Sequence, residues 1–164
     1  MVGKDSKPKQ KVDLKTTQPV KISMNIEQWE KSMENEKRSR TIQGYLGFDI
    51  LLRDIIKRNF PERTKEVKKL MNSSNMNMIQ KARLAYILGL INKTILNNLE
   101  QIHEIRNEFG HSFEASFANA KVLKFVRKLS TAKGQEITEY NSYDFYERAI
   151  SFCIGYFTPS DKNV

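Results

Sequence analysis

The stretch IRNEFGHS, residues 105–112, sets Arg106, Asn107 and His111 close together among Leu- and Ile-rich neighbours. Those three residue types could share a task on a phosphodiester. Histidine exchanges a proton near neutral pH, arginine holds a phosphate and stabilises charge that develops on it, and asparagine orients either one. No metal is needed for that chemistry. Two plainer readings stand beside it. Arg106 could tie a loop or a second helix through carbonyls or a carboxylate, or Asn107, Gly110 and His111 could simply end the helix, with Gly110 supplying backbone freedom.

Helical geometry gives the first of these residues an unusual place. Advancing about 100° per residue from Leu99, Ile95, Ile102, Ile105 and Phe109 form one apolar stripe between about −40° and −120°. Arg106 falls at about −20°, inside its edge, and Gly110, His103 and Asn107 follow at about +20°, +40° and +80°, a polar seam beside the apolar one, with His111 further round. A guanidinium in that position needs partners, because a charge drawn out of water must be compensated. His103 on the seam could join the same site, and the plainer reading is a core-edge histidine with a satisfied ring.

The elements that would carry this seam are helical. Asn25 and Gln28 form a capping-box pattern ahead of Ile26, Trp29 and Met33, which recur at about one turn. The charged run NEKRSR, residues 35–40, is an exposed part of the same helix or a short break. Ile42, Tyr45, Leu46, Leu52, Ile55, Ile56 and Phe60 mark a core helix that Pro61 ends. NSSNMN, residues 72–77, reads as a loop. A helix over residues 78–88 offers Ile79, Ala82, Ala85, Tyr86 and Leu88 for burial, Gly89 suits the left-handed position past its end, and Leu90 and Ile91 fold back. Asn92 or Thr94 then starts the helix of the seam. SFEASF, from Ser112, is extended, looped or helical. Asn119 caps a helix with Val122, Phe125, Val126 and Leu129 inside and Lys121, Lys124, Arg127 and Lys128 outside. Residues 131–141 form a polar loop, and Ser142 opens a last helix with Tyr143, Tyr146, Ile150, Cys153, Ile154 and Phe157 on one side, stopped near Pro159. With no long alternating run and no repeat, the expectation is all-α: a compact bundle of five to six helices.

Composition bounds the rest. The 164 residues, 39% hydrophobic, suit one domain over residues 23–164. Twenty-eight Lys and Arg against nineteen Asp and Glu give a net charge of +9, which favours polyanionic partners. Residues 1–22 hold six Lys and two Asp, so +4 of that charge belongs to a segment too poor in apolar residues to fold alone, expected as a disordered basic tail. The single Cys153 excludes an internal disulfide, two histidines offer no metal-ligand cluster, and no cofactor is expected. Without a signal-like or membrane-length apolar run, the expected compartment is the cytoplasm, with no membrane partner. The basic face Lys121, Lys124, Arg127 and Lys128 is compatible with nucleic-acid binding, although a solvated helix face has the same pattern. No short-turn helix pair presents base-reading side chains, so a DNA-binding helix-turn-helix is not expected.

The string KARLAYILGLINKTILNNLEQIHEIRNEFGHS, residues 81–112, resembles the core signature of the MltR, or mannitol-operon-repressor-like, family: a helix closing on a Gly-Leu-Ile turn, then a helix finishing in Arg-Asn-x-Phe-x-His. The match covers about thirty contiguous residues. Residues 42–60 and SFEASF agree more loosely, and Gly110 replaces the usual alanine. The resemblance implies an all-helical cytosolic protein tied to transcription regulation; without a helix-turn-helix, that means action through protein contacts. Arg106-Asn107-x3-His111 also resembles the R-x4-6-H motif of HEPN domains, often metal-independent ribonucleases of toxin–antitoxin and antiviral systems. That resemblance implies a homodimer with two motifs meeting, His111 as general acid/base, Arg106 as phosphate stabiliser and Asn107 as a positioning group acting on RNA. Many HEPN domains are non-catalytic, so both a regulator and an endoribonuclease stand as expectations.

Overall fold

The computed structural model describes residues 26–72 and 76–158. Asn25, residues 1–22 and Pro159 lie outside the described residues, so the expectations for the tail and the first capping box fall there. The described chain folds into six helices: α1 (Ile26–Asn59), α2 (Thr64–Met71), α3 (Met78–Ile87), α4 (Lys93–His111), α5 (Ala120–Val126) and α6 (Ser142–Phe157), with short 3-10 turns at Pro61–Arg63 and Ser130–Ala132. The described residues hold no strand.

The charged run at residues 35–40 does not break α1. Lys37 meets Glu34 at 2.6 Å and Arg40 meets Glu36 at 2.8 Å, pairs at helical spacing that support the helix through the run. A single 34-residue helix therefore spans what the sequence divides into two stretches. Its inner face carries Thr41, Tyr45, Phe48, Leu52 and Ile56, while Ile26, Trp29, Met33 and Leu46 are exposed. The first turns project past the core, so their apolar spacing serves no buried stripe. Pro61 ends the helix as expected. The short α2 escapes sequence reading because only Val67 and Met71 turn inward on an otherwise charged segment.

Turn chemistry follows the expected residues at Gly89, Asn92 and Asn119. Asn77, read in the sequence only as part of a loop, caps α3 in a reciprocal capping box with Gln80. Gly89 takes φ +71°, and Leu90 N–H donates to Ala85 O at 2.8 Å while Gly89 N–H donates to Tyr86 O at 3.0 Å, the two bonds of a Schellman ending. Asn92 accepts from Ile95 N–H at 2.9 Å to start α4, and Asn119 accepts from Lys121 N–H at 2.9 Å to start α5.

Helix α4 lies at the centre, with Ile95, Leu99, Ile102, Ile105 and Phe109 fully buried, packed by α1, α3, α5 and α6. Asn98, also buried, donates to Ser130 Oγ and accepts from Ser130 N–H, both at 2.8 Å, fixing the turn after α5. SFEASF is a loop whose two phenylalanines part company: Phe117 is buried against Phe109 and Tyr146, and Phe113 is 98% exposed. Several expected burials are corrected. Tyr86, Leu88 and Ile154 face outward, because α3 and α6 each press only one narrow side on the bundle. Tyr146, on the expected apolar side of α6, is fully buried under α1, and Tyr143 is half-buried. Helix α5 stops at Val126, so Arg127 and Lys128 lie at and past its end. Among the described residues no helix is long and apolar enough to cross a membrane.

Candidate functional site

Helices α1 and α4 run antiparallel: Arg38 meets the end of α4 and Tyr45 meets its middle. Against Tyr45 the polar seam of α4 closes into a ring of four side chains. Arg106 Nη1 donates to Asn107 Oδ1 at 3.4 Å. Asn107 Nδ2 lies 3.1 Å from His103 Nε2, and His103 Nδ1 lies 3.1 Å from Tyr45 Oη. The Arg106 guanidinium then sits 5.2 Å above the centre of the Tyr45 ring, completing the circuit.

The direction of the bonds follows from Arg106. A guanidinium only donates, so Asn107 must offer its oxygen there and its amide N–H to His103. His103 Nε2 therefore accepts, leaving its proton on Nδ1 to donate to Tyr45. Burial pushes the His103 pKa below its ordinary value, with Arg106 and Arg83 adding to the fall and Glu104 opposing it. Burial also raises the Tyr45 phenol, Arg106 pulling the other way. The imidazole is thus held neutral with both nitrogens engaged.

No carboxylate or backbone carbonyl receives Arg106 among the described residues, and its Nε is shielded without a partner. A built Cβ on Gly110 would lie 3.5 Å from Arg106 Nη1, so the guanidinium runs along the helix toward Gly110, and an alanine there would meet it in ordinary contact. Glycine is not sterically required at this position.

His111 lies elsewhere. α4 continues through His111, and five residues of regular helix rotate it about 140° from Arg106 and raise it about 7.5 Å. His111 is exposed and has no partner among the described residues. The structure therefore brings Arg106 and Asn107 together with His103 and leaves His111 on a different side of the helix. Arg38 instead occupies the end of α4, donating to Phe109 O and, at 3.2 Å, to Phe113 O, with its guanidinium 5.2 Å from the Phe113 ring. A cation there satisfies orphan carbonyls and complements the helix dipole.

Of the basic face, Lys121, Lys124 and Lys128 are exposed on one side of α5 and its end. Lys121 stands 3.8 Å from Glu108, Lys128 leans over Phe125, and Arg127 donates to Ile137 O at 3.2 Å. Arg127 is thus partly occupied with holding the following loop. No three His, Cys, Asp or Glu side chains converge as a metal site among the described residues.

Tyr45 and Arg38 were missed in the sequence. Tyr45 sits in an ordinary apolar stripe, and only its hydroxyl hints at a polar neighbour; Arg38 is one cation in a charged run. Compared with protein-family models, curated proteins and solved structures, the chain finds no match.

Proposed function

We propose that this chain is an MltR-like regulatory protein of the cytoplasm, acting through contacts with other proteins rather than by chemistry or by a helix-turn-helix. The observation that carries this reading is the divergence of Arg106 and His111 around a regular α4. General acid/base work on a phosphodiester needs the proton carrier and the phosphate-holding cation to reach one group. The histidine that does reach the arginine's cluster, His103, spends both nitrogens on Tyr45 and Asn107. Exposed aromatics, Phe113 above all, supply surface for protein partners.

A HEPN-type endoribonuclease is the second reading. It is favoured by Arg106, a cation with no carboxylate partner, and by the unengaged His111. In a homodimer, a second copy would have to supply the group that one chain does not bring to Arg106, with Lys121, Lys124, Arg127 and Lys128 drawing RNA in.

One assay separates the two. Purified wild type and His111→Ala are incubated with single-stranded and structured RNAs in the presence of chelator. The regulatory reading expects both proteins to leave every RNA intact, and Arg106→Ala to melt at a lower temperature because the four-membered ring opens. Cleavage by the wild type that disappears in His111→Ala would overturn it in favour of the ribonuclease.

A further inference from the structure

An open groove of about 510 Å³ lies along the first turns of α1, lined by Trp29, Glu30, Met33 and Glu34 and, from the loop before α6, by Glu139 and Tyr140. It is both apolar and acidic. Trp29 is 55% exposed and Tyr140 is 90% exposed. Glu34 Oε1 receives Lys37 at 2.6 Å, but its Oε2 is shielded from solvent with no hydrogen-bond partner. An apolar trough with a carboxylate in want of a donor fits an extended segment that carries both apolar side chains and cations.

We infer that this groove is the docking site of the chain's own N-terminal segment, residues 15–24. The inference is independent of the function proposed above. Three observations converge on this occupant. The first is position: these residues precede α1 directly, and the groove is built on that helix's opening turns. The pattern Met24-Asn25-Ile26-Glu27-Gln28-Trp29 has an apolar residue just ahead of Asn25, the cap expected from the sequence, and another at the fourth position of α1, the sequence pattern of a hydrophobic staple. Such a staple packs the residue ahead of the cap against the fourth helical residue and fixes the angle at which the chain enters the helix.

The second is pattern. Val20, Ile22 and Met24 alternate with Lys21 and Ser23, so an extended backbone presents the three apolar side chains along one edge. That edge rises about 13 Å over four residues, and the helix from Ile26 to Met33 rises about 10.5 Å. Met24, Ile22 and Val20 can therefore follow Trp29 and Met33 along the trough. The third is charge. Residues 15–24 carry Lys15 and Lys21 and no acidic residue, while Glu30, Glu34 and Glu139 outnumber Lys37 at the groove. Covalent attachment adds an effective concentration in the millimolar range, so modest contact energy suffices for occupancy.

Trp29 is the only tryptophan and reports directly on the groove. Acrylamide quenching of its fluorescence is measured on the full chain, on Val20→Asp/Ile22→Asp, on Lys15→Glu/Lys21→Glu, and on the latter combined with Glu30→Lys/Glu34→Lys. The docked segment is expected to shield Trp29, so quenching rises by about twofold in the first two variants, returns toward wild type in the charge-swapped one, and stays constant on dilution because the contact is intramolecular. Circular dichroism checks that the helices are unchanged. Wild type and both tail variants quenching alike would overturn the inference. So would wild-type quenching that rises on dilution, which would assign the groove to a second copy, or a charge swap that fails to restore shielding.

Discussion

The guanidinium of Arg106 rests 5.2 Å from the centre of the Tyr45 ring, and that aromatic face, rather than a carboxylate, is what holds the cation at the edge of the core. A positive charge above a ring face is attracted by the ring quadrupole, more strongly as water is removed. Tyr45 is buried and Arg106 half-buried, so the pair lies between the exposed and desolvated limits.

A double-mutant cycle measures that contact. Tyr45→Leu and Arg106→Met, singly and together, are expected to show a coupling of about 1 kcal/mol by denaturant unfolding. Tyr45→Phe keeps the ring face but leaves His103 without its hydroxyl partner, at a cost of about 1 kcal/mol. Strictly additive Leu and Met substitutions would show that the stacked geometry contributes nothing.

His103 makes the fold pH-sensitive in a defined direction. Its folded-state pKa lies below the ordinary value of 6.5, with burial as the main cause. The unfolded chain therefore takes up the proton first as pH falls. The stabilisation from a neutral, doubly bonded imidazole is present above about pH 6.5 and is lost as pH drops through the folded-state value. Thermal melts of the wild type and His103→Gln at about pH 7.5 and 5.5 test this. The wild type should lose more melting temperature than the variant on acidification. Parallel losses would mean that His103 titrates no differently in the folded and unfolded chain.

Local signals made most of this architecture legible. Gly89, Asn92 and Asn119 act within four residues of where they stand, and a cap or a left-handed turn needs nothing from the rest of the fold. The seam of His103, Arg106 and Asn107 was legible for the same reason, since one helix sets their angles. Partners across helices were not. Tyr45 lies 58 positions from the histidine it meets, and no local rule states which stripe residue of α1 comes to face α4. Arg106 and His111 are near in sequence, and the regular turn of α4 sets them about 140° apart. The exposed start of α1 shows the remaining gap, because apolar periodicity announces an apolar face without naming what covers it.

Lys81 and Asp49 depend on each other unequally. Lys81 is buried, its side chain 4% exposed, and its Nζ lies 2.6 Å from Asp49 Oδ1; Asp49 Oδ2 also receives Arg53 at 3.1 Å. The aspartate thus has two cations, but the lysine has one carboxylate to compensate it. Removing Asp49 strands an ammonium inside the α1–α3 contact, whereas removing the charge of Lys81 leaves Asp49 still paired and a side chain of similar length in the same space. Asp49→Ala is expected to destabilise by about 3 kcal/mol, and Lys81→Met to stay within about 1 kcal/mol of the wild type. Denaturant midpoints at constant slope give both values. If Lys81→Met proved as costly as Asp49→Ala, the ion pair itself, rather than the avoidance of an uncompensated buried charge, would be what joins α3 to α1.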